Sequence, residues 1–381
     1  MAIALLNLDA LRHNAEQSAC CASRWNIAVL PVLKGLCCHP LALRELFTAG
    51  FSTFGFTEYA EAALVLSEAP SLCPDIRDRV LFQICPLSKA KDVPRQFGRS
   101  FQSSPETLSA VNQAVAESGL RHEVMLVVDM GERREGVNVA ELPSLLEHAR
   151  SLRHLNMTGF ALTLGCQGKT LPGADLHRKL RDIWRMFHDK GLPITEVSVG
   201  GSVFCRWLDE YGPGLVTEVR LGANFILGTD TYRKRPLPGG PYRDDVCLLQ
   251  GEVLEISTRT FRADDVPAMP DLDGYPVLSN PVSGERLCAL LDIGRVHAKY
   301  EELSCLVPGA RIIDISSNYT VLDITDCPVP PHTGQHVLFR IGYWSMARLF
   351  HSLPVPVAPV RDGSPELQAY FRQAPPEPFP R

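Results

Sequence analysis

The sequence predicts an α/β fold: a (β/α)8 TIM-type barrel followed by a smaller, mostly β C-terminal domain. Strand-like and helix-like segments alternate eight times over about 225 residues, the count and length of such a barrel. After Tyr232 the alternation stops, and short apolar runs separated by turn residues follow, the pattern of strands without crossover helices. The expected divisions are residues 1–232 for the barrel, 240–352 for the β-rich domain and 353–381 for a proline-rich tail. A doubly wound open sheet is the alternative. Its first turn should carry G-x-G-x-x-G, and none stands there.

Residues 8–22 are rich in helix formers, with Asn7 where a cap belongs. The first barrel strand is the mostly apolar run from Ile27 to Leu33, and Lys34 stands at its exit. His39-Pro40 opens a helix through Leu43, Leu46 and Phe47, and Gly50 stops it. Residues 53–56 form the second strand and 57–66 its helix, with Thr57 as cap and Glu58 and Glu61 in the first turn. Residues 79–84 are the third strand. The short fourth, 100–102, precedes a helix over 105–118. Residues 122–129 and 157–163 are the fifth and sixth strands, with helices over 142–151 and 176–190. The seventh, 195–198, leads through Gly200-Gly201 into a short helix, and 217–221 is the eighth.

Residues 233–241, with basic residues, prolines and Gly239-Gly240, read as a linker. Residues 246–256, 287–293, 311–315, 319–324 and 336–341 are the expected strands of the second domain. Eight of the 28 residues from Pro354 onward are proline, so that stretch is expected to be extended and to belong to no core.

Composition excludes several function classes. At 381 residues the chain exceeds what one hydrophobic core usually spans. A net charge of −5 gives no electrostatic footprint for nucleic acid or an anionic membrane surface. No apolar run approaches the eighteen or so residues of a membrane helix. The first nine residues lack the basic region of an export signal, so a cytoplasmic location is expected. The twelve cysteines include the adjacent pairs Cys20-Cys21 and Cys37-Cys38 but no C-x-x-C, and reduced thiols serving as small core residues are expected.

A lysine ending a strand is ordinarily a solvated residue, and Gly-Gly-Ser is ordinarily a plain turn. At the carboxyl ends of barrel strands, however, such groups stand where ligands and chemistry gather. A partly desolvated amine there can attack a carbonyl. Several motifs in a shared order give this more weight: Val32-Leu33-Lys34-Gly35, the run 129–137 with Arg133 and Arg134, the run 159–168, Val199-Gly200-Gly201-Ser202, Val219-Arg220-Leu221-Gly222, and the run 316–323. Together they resemble the alanine racemase-like (fold type III) family of pyridoxal 5'-phosphate enzymes, most closely its ornithine racemase-like branch, over most of residues 3–345.

The resemblance implies a cofactor, pyridoxal 5'-phosphate, and a site residue by residue. Lys34 would carry it as a Schiff base and act as a base at the substrate α-carbon. Gly201, Ser202, Gly222 and the N–H of Ala223 would cradle the phosphate, with Tyr343 touching it. Arg220 would face the pyridine nitrogen. A guanidinium holds its proton, so the ring nitrogen would stay unprotonated, which suits racemisation with little side chemistry. Arg134 would lie near the cofactor hydroxyl and the substrate carboxylate, where a planar fork fits. Adjacent strand residues face opposite ways, so Arg133 would then point outward.

Racemisation needs a second acid/base on the face opposite Lys34. The tyrosine that alanine racemases supply from the partner's β domain is missing from the corresponding stretch 292–297, and His297 and Tyr319 are the candidates. A histidine titrates near neutrality, whereas a tyrosine must be lowered from about 10. Thr163 and Cys38 also depart from residues usual in relatives, which implies an altered substrate pocket. The expected activity is interconversion of L- and D-enantiomers of ornithine or another basic or polar amino acid by a homodimer. The alternatives are a pyridoxal-phosphate decarboxylase, against which Arg220 weighs, an aldolase, against which the lack of a clear His/Cys metal pair near the C-terminus weighs, and a non-catalytic pyridoxal-phosphate homeostasis protein, which typically ends after the barrel.

Overall fold

The computed structural model describes residues 1–72, 75–166, 170–230, 237–262, 282–352 and 355–371. Two compact units compose the chain: Leu11–Asp244, and Met1–Ala10 together with Asp245–Arg381. Residues 231–236, which include the first part of the stretch 233–241 read as a linker, lie outside the described residues, as do 167–169 and 372–381.

The chain opens with β1 (Ile3–Asn7) and α1 (Leu8–Trp25). Then follow β2 (Ala28–Pro31), α2 (Pro40–Thr48), β3 (Phe54–Phe56), α3 (Tyr59–Glu68), β4 (Arg79–Leu81), α4 (Val93–Gln96) and β5 (Arg99–Gln102). Next come α5 (Pro105–Ser118), β6 (Glu123–Asp129), β7 (Val137–Asn138), α6 (Leu142–Ser151), β8 (Asn156–Thr163) and α7 (Leu176–Asp189). The barrel ends with β9 (Glu196–Gly200), α8 (Val203–Tyr211), β10 (Glu218–Leu221) and α9 (Ala223–Leu227).

Eight parallel strands lie side by side in the order β2, β10, β9, β8, β6, β5, β4, β3, and β7 is a short addition beside β6. The end strands β2 and β3 lie against each other without a ladder among the described residues, so the ring closes by their direct contact. The (β/α)8 expectation therefore holds. Local chemistry fixes several helix ends. Ser104 Oγ accepts from the Thr107 N–H and Gly119 takes the left-handed conformation (φ 67°), so α5 spans its expected residues. The helix expected to start at Thr57 instead begins at Tyr59, because Glu58 and Glu61 form the reciprocal capping box and Thr57 donates to Glu61.

Inside the barrel Leu30, Val80, Phe101, Met125, Val127 and Ala161 form an apolar layer. Toward the strand starts the filling turns ionic: Arg99 donates to Glu218 (2.5 Å) and to Glu196 (2.9 Å).

His122, at the entry to β6, is buried. Its Nδ1 lies 2.9 Å from the Phe97 carbonyl, which can only accept, so that nitrogen carries the proton and Nε2 accepts from Ser100 Oγ at 2.8 Å. Burial pushes its pKa down from 6.5 to about 4, and the carbonyl only partly opposes this. The unfolded chain therefore binds a proton that the folded chain refuses between these values. This contribution to stability is present above pH 6.5 and is lost as the pH falls toward 4, up to roughly 3 kcal/mol. Urea unfolding at pH 7 and pH 4.5 should show the loss in the wild type and a smaller one in His122→Asn. Equal acid losses in both proteins would contradict the assignment.

The second unit holds β11 (Cys247–Phe261), β12 (Gly284–Leu291), β13 (Leu303–Cys305), β14 (Arg311–Ile315), β15 (Thr320–Asp323), β16 (His336–Ile341), α10 (Tyr343–His351), β17 (Val357–Val360) and α11 (Pro365–Phe371). Its main path is β13, β16, β11, β12, β15, β14, and β1 joins β11 antiparallel. The β-rich expectation is met here, with two differences at the chain ends. Ile3–Asn7 is a strand of this sheet, and the first ten residues group with this unit. Residues 357–367, read from proline content as outside any core, belong to one. The strand β17 runs parallel to β1, and Val360 and Leu367 are buried against Leu5 and Leu248. Pro359 is tolerated because, among the described residues, β17 pairs only with β1 and lies at the sheet edge. Among the described residues no helix is long and apolar enough to cross a membrane, and the cysteines are free thiols, most of them buried.

Candidate active site

Three neighbouring strands, β2, β10 and β9, bring most of the sequence-derived site residues to one rim of the barrel. The Val32 N–H donates to Leu221 O at 2.8 Å, prolonging the pairing past β2. The chain then turns into a single 3-10 turn, Lys34–Leu36, and Cys37 and Cys38 are both left-handed, with φ 47° and 48°. Lys34 thus leaves the strand at its carboxyl end. It is exposed, so this chain by itself does not supply the desolvation expected of a strand-end amine.

One strand beyond β10, the neighbour of β2, the strand β9 ends in Gly200 and passes through Gly201 into α8. Gly201 has φ 116°, and a Cβ there would lie 2.6 Å from the Leu164 carbonyl oxygen. Only glycine fits without moving backbone. Ser202 is buried and directly precedes α8, and its side chain makes no capping bond to that helix. On β10, Gly222 precedes α9, whose first residue is Ala223. A Cβ on Gly222 would meet Val32 O at 2.8 Å. Two glycine turns therefore lie on adjacent strands beside Lys34.

Arg220 is buried and reaches across three strands. Its Nη1 donates to Ser198 Oγ (2.8 Å), and its Nη2 donates to Leu162 O (2.8 Å) and Thr163 Oγ1 (3.0 Å). Among the described residues its Nε–H makes no hydrogen bond. The rings of Phe82 and Phe101 lie 5.6 and 5.0 Å from its guanidinium carbon. Burial pulls its pKa down to about 10, against the raising effect of Glu218 and Glu135, so it stays cationic at neutral pH.

Arg134 leaves β6 through a loop turned by Arg133 (φ 55°) and Gly136 (φ 112°). The Asp129 carboxylate accepts from the N–H groups of Gly131 and Arg133 and braces the bend. Off the strand, strict alternation no longer applies, and Arg134 and its neighbour Glu135 meet side on. Arg134 Nε and Nη2 (2.6 Å) donate to the Glu135 carboxylate, and Nη1 donates to Cys166 Sγ at 2.9 Å. The carboxylate raises the Arg134 pKa. Burial alone would raise that of Glu135, but the guanidinium outweighs it and holds it below the usual range. Glu135 and Cys166 lie within the runs 129–137 and 159–168, but no sequence signal pairs them with Arg134; the loop geometry does.

The remaining candidates belong to the β unit. The Gly294 N–H donates to His297 Nδ1 at 3.1 Å, which makes that nitrogen an acceptor and the ring neutral, and burial lowers its pKa. Loops 292–298 and 316–319 are stitched together by Arg295 N–H to Ser316 O (2.9 Å) and Val296 N–H to Ser317 O (3.1 Å), so His297 and Tyr319 share one loop cluster. Tyr319 is exposed, and its hydroxyl makes no hydrogen bond among the described residues. Tyr343 opens α10, whose first turn is held by the Glu302 carboxylate accepting from the Ser345 N–H at 2.7 Å.

Comparison with known proteins agrees with this architecture. The chain is 24% identical over 356 residues to an ornithine racemase of Acetoanaerobium sticklandii, covering 91% of this chain and 96% of the relative. It is 24% identical over 330 residues to a lysine racemase of Thermotoga maritima, covering 84% and 88%. The alanine racemase of Streptomyces coelicolor A3(2) superposes with a TM-score of 0.72 at 17% identity, covering 94% of this chain and 98% of that one, which speaks for the fold alone. The model of the family described as alanine racemase, N-terminal domain, matches residues 6–228, more than half of the chain, and the chain belongs to that family.

Proposed function

We propose that the protein is a pyridoxal 5'-phosphate-dependent amino-acid racemase acting on ornithine or another basic or polar amino acid as a homodimer. The observation that carries this reading is the grouping of Lys34, the Gly201-Ser202 turn and Arg220 on three adjacent strand ends, in a family member whose full-length relatives are named racemases. The residues fit the cofactor. The two close-approach glycines carry no side chain that would keep a phosphate from the starts of α8 and α9, and the buried Ser202 hydroxyl would add a donor. The uncommitted Arg220 Nε–H is a donor for the ring nitrogen.

When bound, pyridoxal 5'-phosphate supplies the electron sink that acidifies the substrate α-C–H. Lys34 Nζ holds the cofactor and moves the proton on one face of the α-carbon. Ser198, Leu162 and Thr163 supply acceptors that hold the Arg220 guanidinium cationic, so Arg220 would offer the ring nitrogen a hydrogen bond without giving up its proton. Arg134 is the guanidinium that would meet the substrate carboxylate; its Nε and Nη2 donate to Glu135 and its Nη1 to Cys166, so the substrate would share these donors. The acid on the other face comes from the β unit of a second copy. His297 and Tyr319 are the candidates there: Nδ1 accepting from the Gly294 N–H leaves the imidazole proton on Nε2, and the Tyr319 hydroxyl makes no hydrogen bond among the described residues.

Incubation of the protein with single L-amino acids in D2O should give α-deuterated, racemised product for at least one basic or polar substrate. Release of CO2 or an aldehyde alone would overturn the racemase reading.

A further inference from the structure

The Arg220 guanidinium ends a row of ionic side chains that barrel packing does not require. (β/α)8 interiors are ordinarily filled by layers of branched apolar residues, as in the layer of Leu30, Val80, Phe101 and Met125 here. Buried ion pairs rarely outperform such filling, because desolvation offsets their attraction. This chain nevertheless lines up Arg220, Ser198, Glu218, Arg99 and Glu196. The Ser198 hydroxyl accepts from Arg220 Nη1 at 2.8 Å and donates its proton to Glu218 Oε1 at 2.5 Å. The other Glu218 oxygen accepts from Arg99 Nη2 at 2.5 Å, and Arg99 Nη1 donates to Glu196 Oε2 at 2.9 Å. Thr158 Oγ1 donates to that same Glu196 oxygen at 3.1 Å.

The consequence is directional. A serine hydroxyl has one proton, and Glu218 claims it, so only lone pairs face Arg220. The strand pattern places Ser198 and Glu218 two residues before Gly200 and Arg220, on the inward faces of β9 and β10. Gly200 completes the seat: a Cβ there would lie 2.3 Å from Arg220 Nη2. With Phe82 and Phe101 beside it and three acceptors along its edge, the guanidinium has one orientation, and its Nε–H is left over.

We propose that Ser198 and Glu218, backed by Arg99, are positioning residues that fix the plane of Arg220 and aim its uncommitted Nε–H at the cofactor ring. The inference rests on the reading of Arg220 as the ring-nitrogen partner. Ser198 and Glu218 touch neither cofactor nor substrate, and act through Arg220.

The test uses the full-length holoenzyme and compares Ser198→Ala, Ser198→Thr, Glu218→Gln and Arg220→Lys. The readouts are the visible absorbance of bound pyridoxal 5'-phosphate, its dissociation constant and the thermal midpoint. Ser198→Ala and Glu218→Gln should shift the absorbance maximum in the same sense as Arg220→Lys and weaken cofactor binding about tenfold. Ser198→Thr keeps the hydroxyl and should keep the wild-type spectrum. A wild-type spectrum and affinity in Ser198→Ala, with both altered in Arg220→Lys, overturns the positioning role alone. An unchanged Arg220→Lys overturns the underlying reading of Arg220. If Glu218→Gln does not fold, the Ser198 pair decides.

Discussion

Lys34→Ala is expected to lose racemase activity by at least ~10³-fold, because in the proposed mechanism one side chain would provide both the cofactor attachment and a proton carrier. Other groups cannot take over both tasks. Arg220 and Arg134 keep their protons at neutral pH, held by Glu218 in one case and Glu135 in the other. Lys34→Arg should be equally inactive, since a guanidinium neither forms the bond nor gives up its proton. Fold loss is not a competing explanation. Lys34 is exposed and follows β2, so its truncation opens no cavity, and the unfolding midpoint should stay within experimental error of wild type. Borohydride reduction followed by peptide mass spectrometry locates the bond independently of turnover. Label on a lysine other than Lys34 would sink the assignment even if Lys34→Ala were inactive.

The extent to which the sequence discloses this protein follows the range of its interactions. Helices α5 and α6 appear at their expected residues because their signals are local: Ser104 and Pro105 before α5, Gly119 after it, and the 142–151 apolar pattern. The strands β1 and β17 have no such local signature. Leu5 pairs with Leu248 on one side and with Ala358 on the other, contacts hundreds of residues apart in sequence, and no motif announces them. Proline content therefore misleads for residues 357–367, where an edge position makes Pro359 harmless.

The rim shows the same division. Lys34, Gly201 and Arg220 stand at predicted strand ends, and period two from Gly200 and Arg220 points to Ser198 and Glu218. The Arg134–Glu135–Cys166 contact could not be read this way. It depends on a left-handed Arg133, a conformation most residues avoid and whose signal in the sequence is weak. For the same reason Glu135 is invisible as a partner of Arg134 until the loop is seen.

Gly201→Ala is expected to weaken pyridoxal 5'-phosphate binding about a hundredfold and to cost roughly 1–4 kcal/mol of stability. Two effects add. At φ 116° an L-residue is strained, and its Cβ would lie 2.6 Å from Leu164 O. That oxygen is backbone, and its residue is itself held, with the Leu164 N–H bonded to Gly200 O at 3.2 Å, so relief requires the ends of β8 and β9 to part. Parting them moves the turn that presents Ser202 and disturbs Leu162 O and Thr163 Oγ1, the acceptors that hold Arg220. Gly119→Ala is the matched control. Gly119 also has positive φ (67°) but nothing within 4 Å of a new Cβ, and it ends α5. It should cost about 1 kcal/mol and leave cofactor affinity unchanged, since only backbone preference is at stake. Chemical unfolding and cofactor titration on both variants separate strain from clash. Equal cofactor affinity in Gly201→Ala and Gly119→Ala would remove Gly201 from the binding turn, whatever the stabilities.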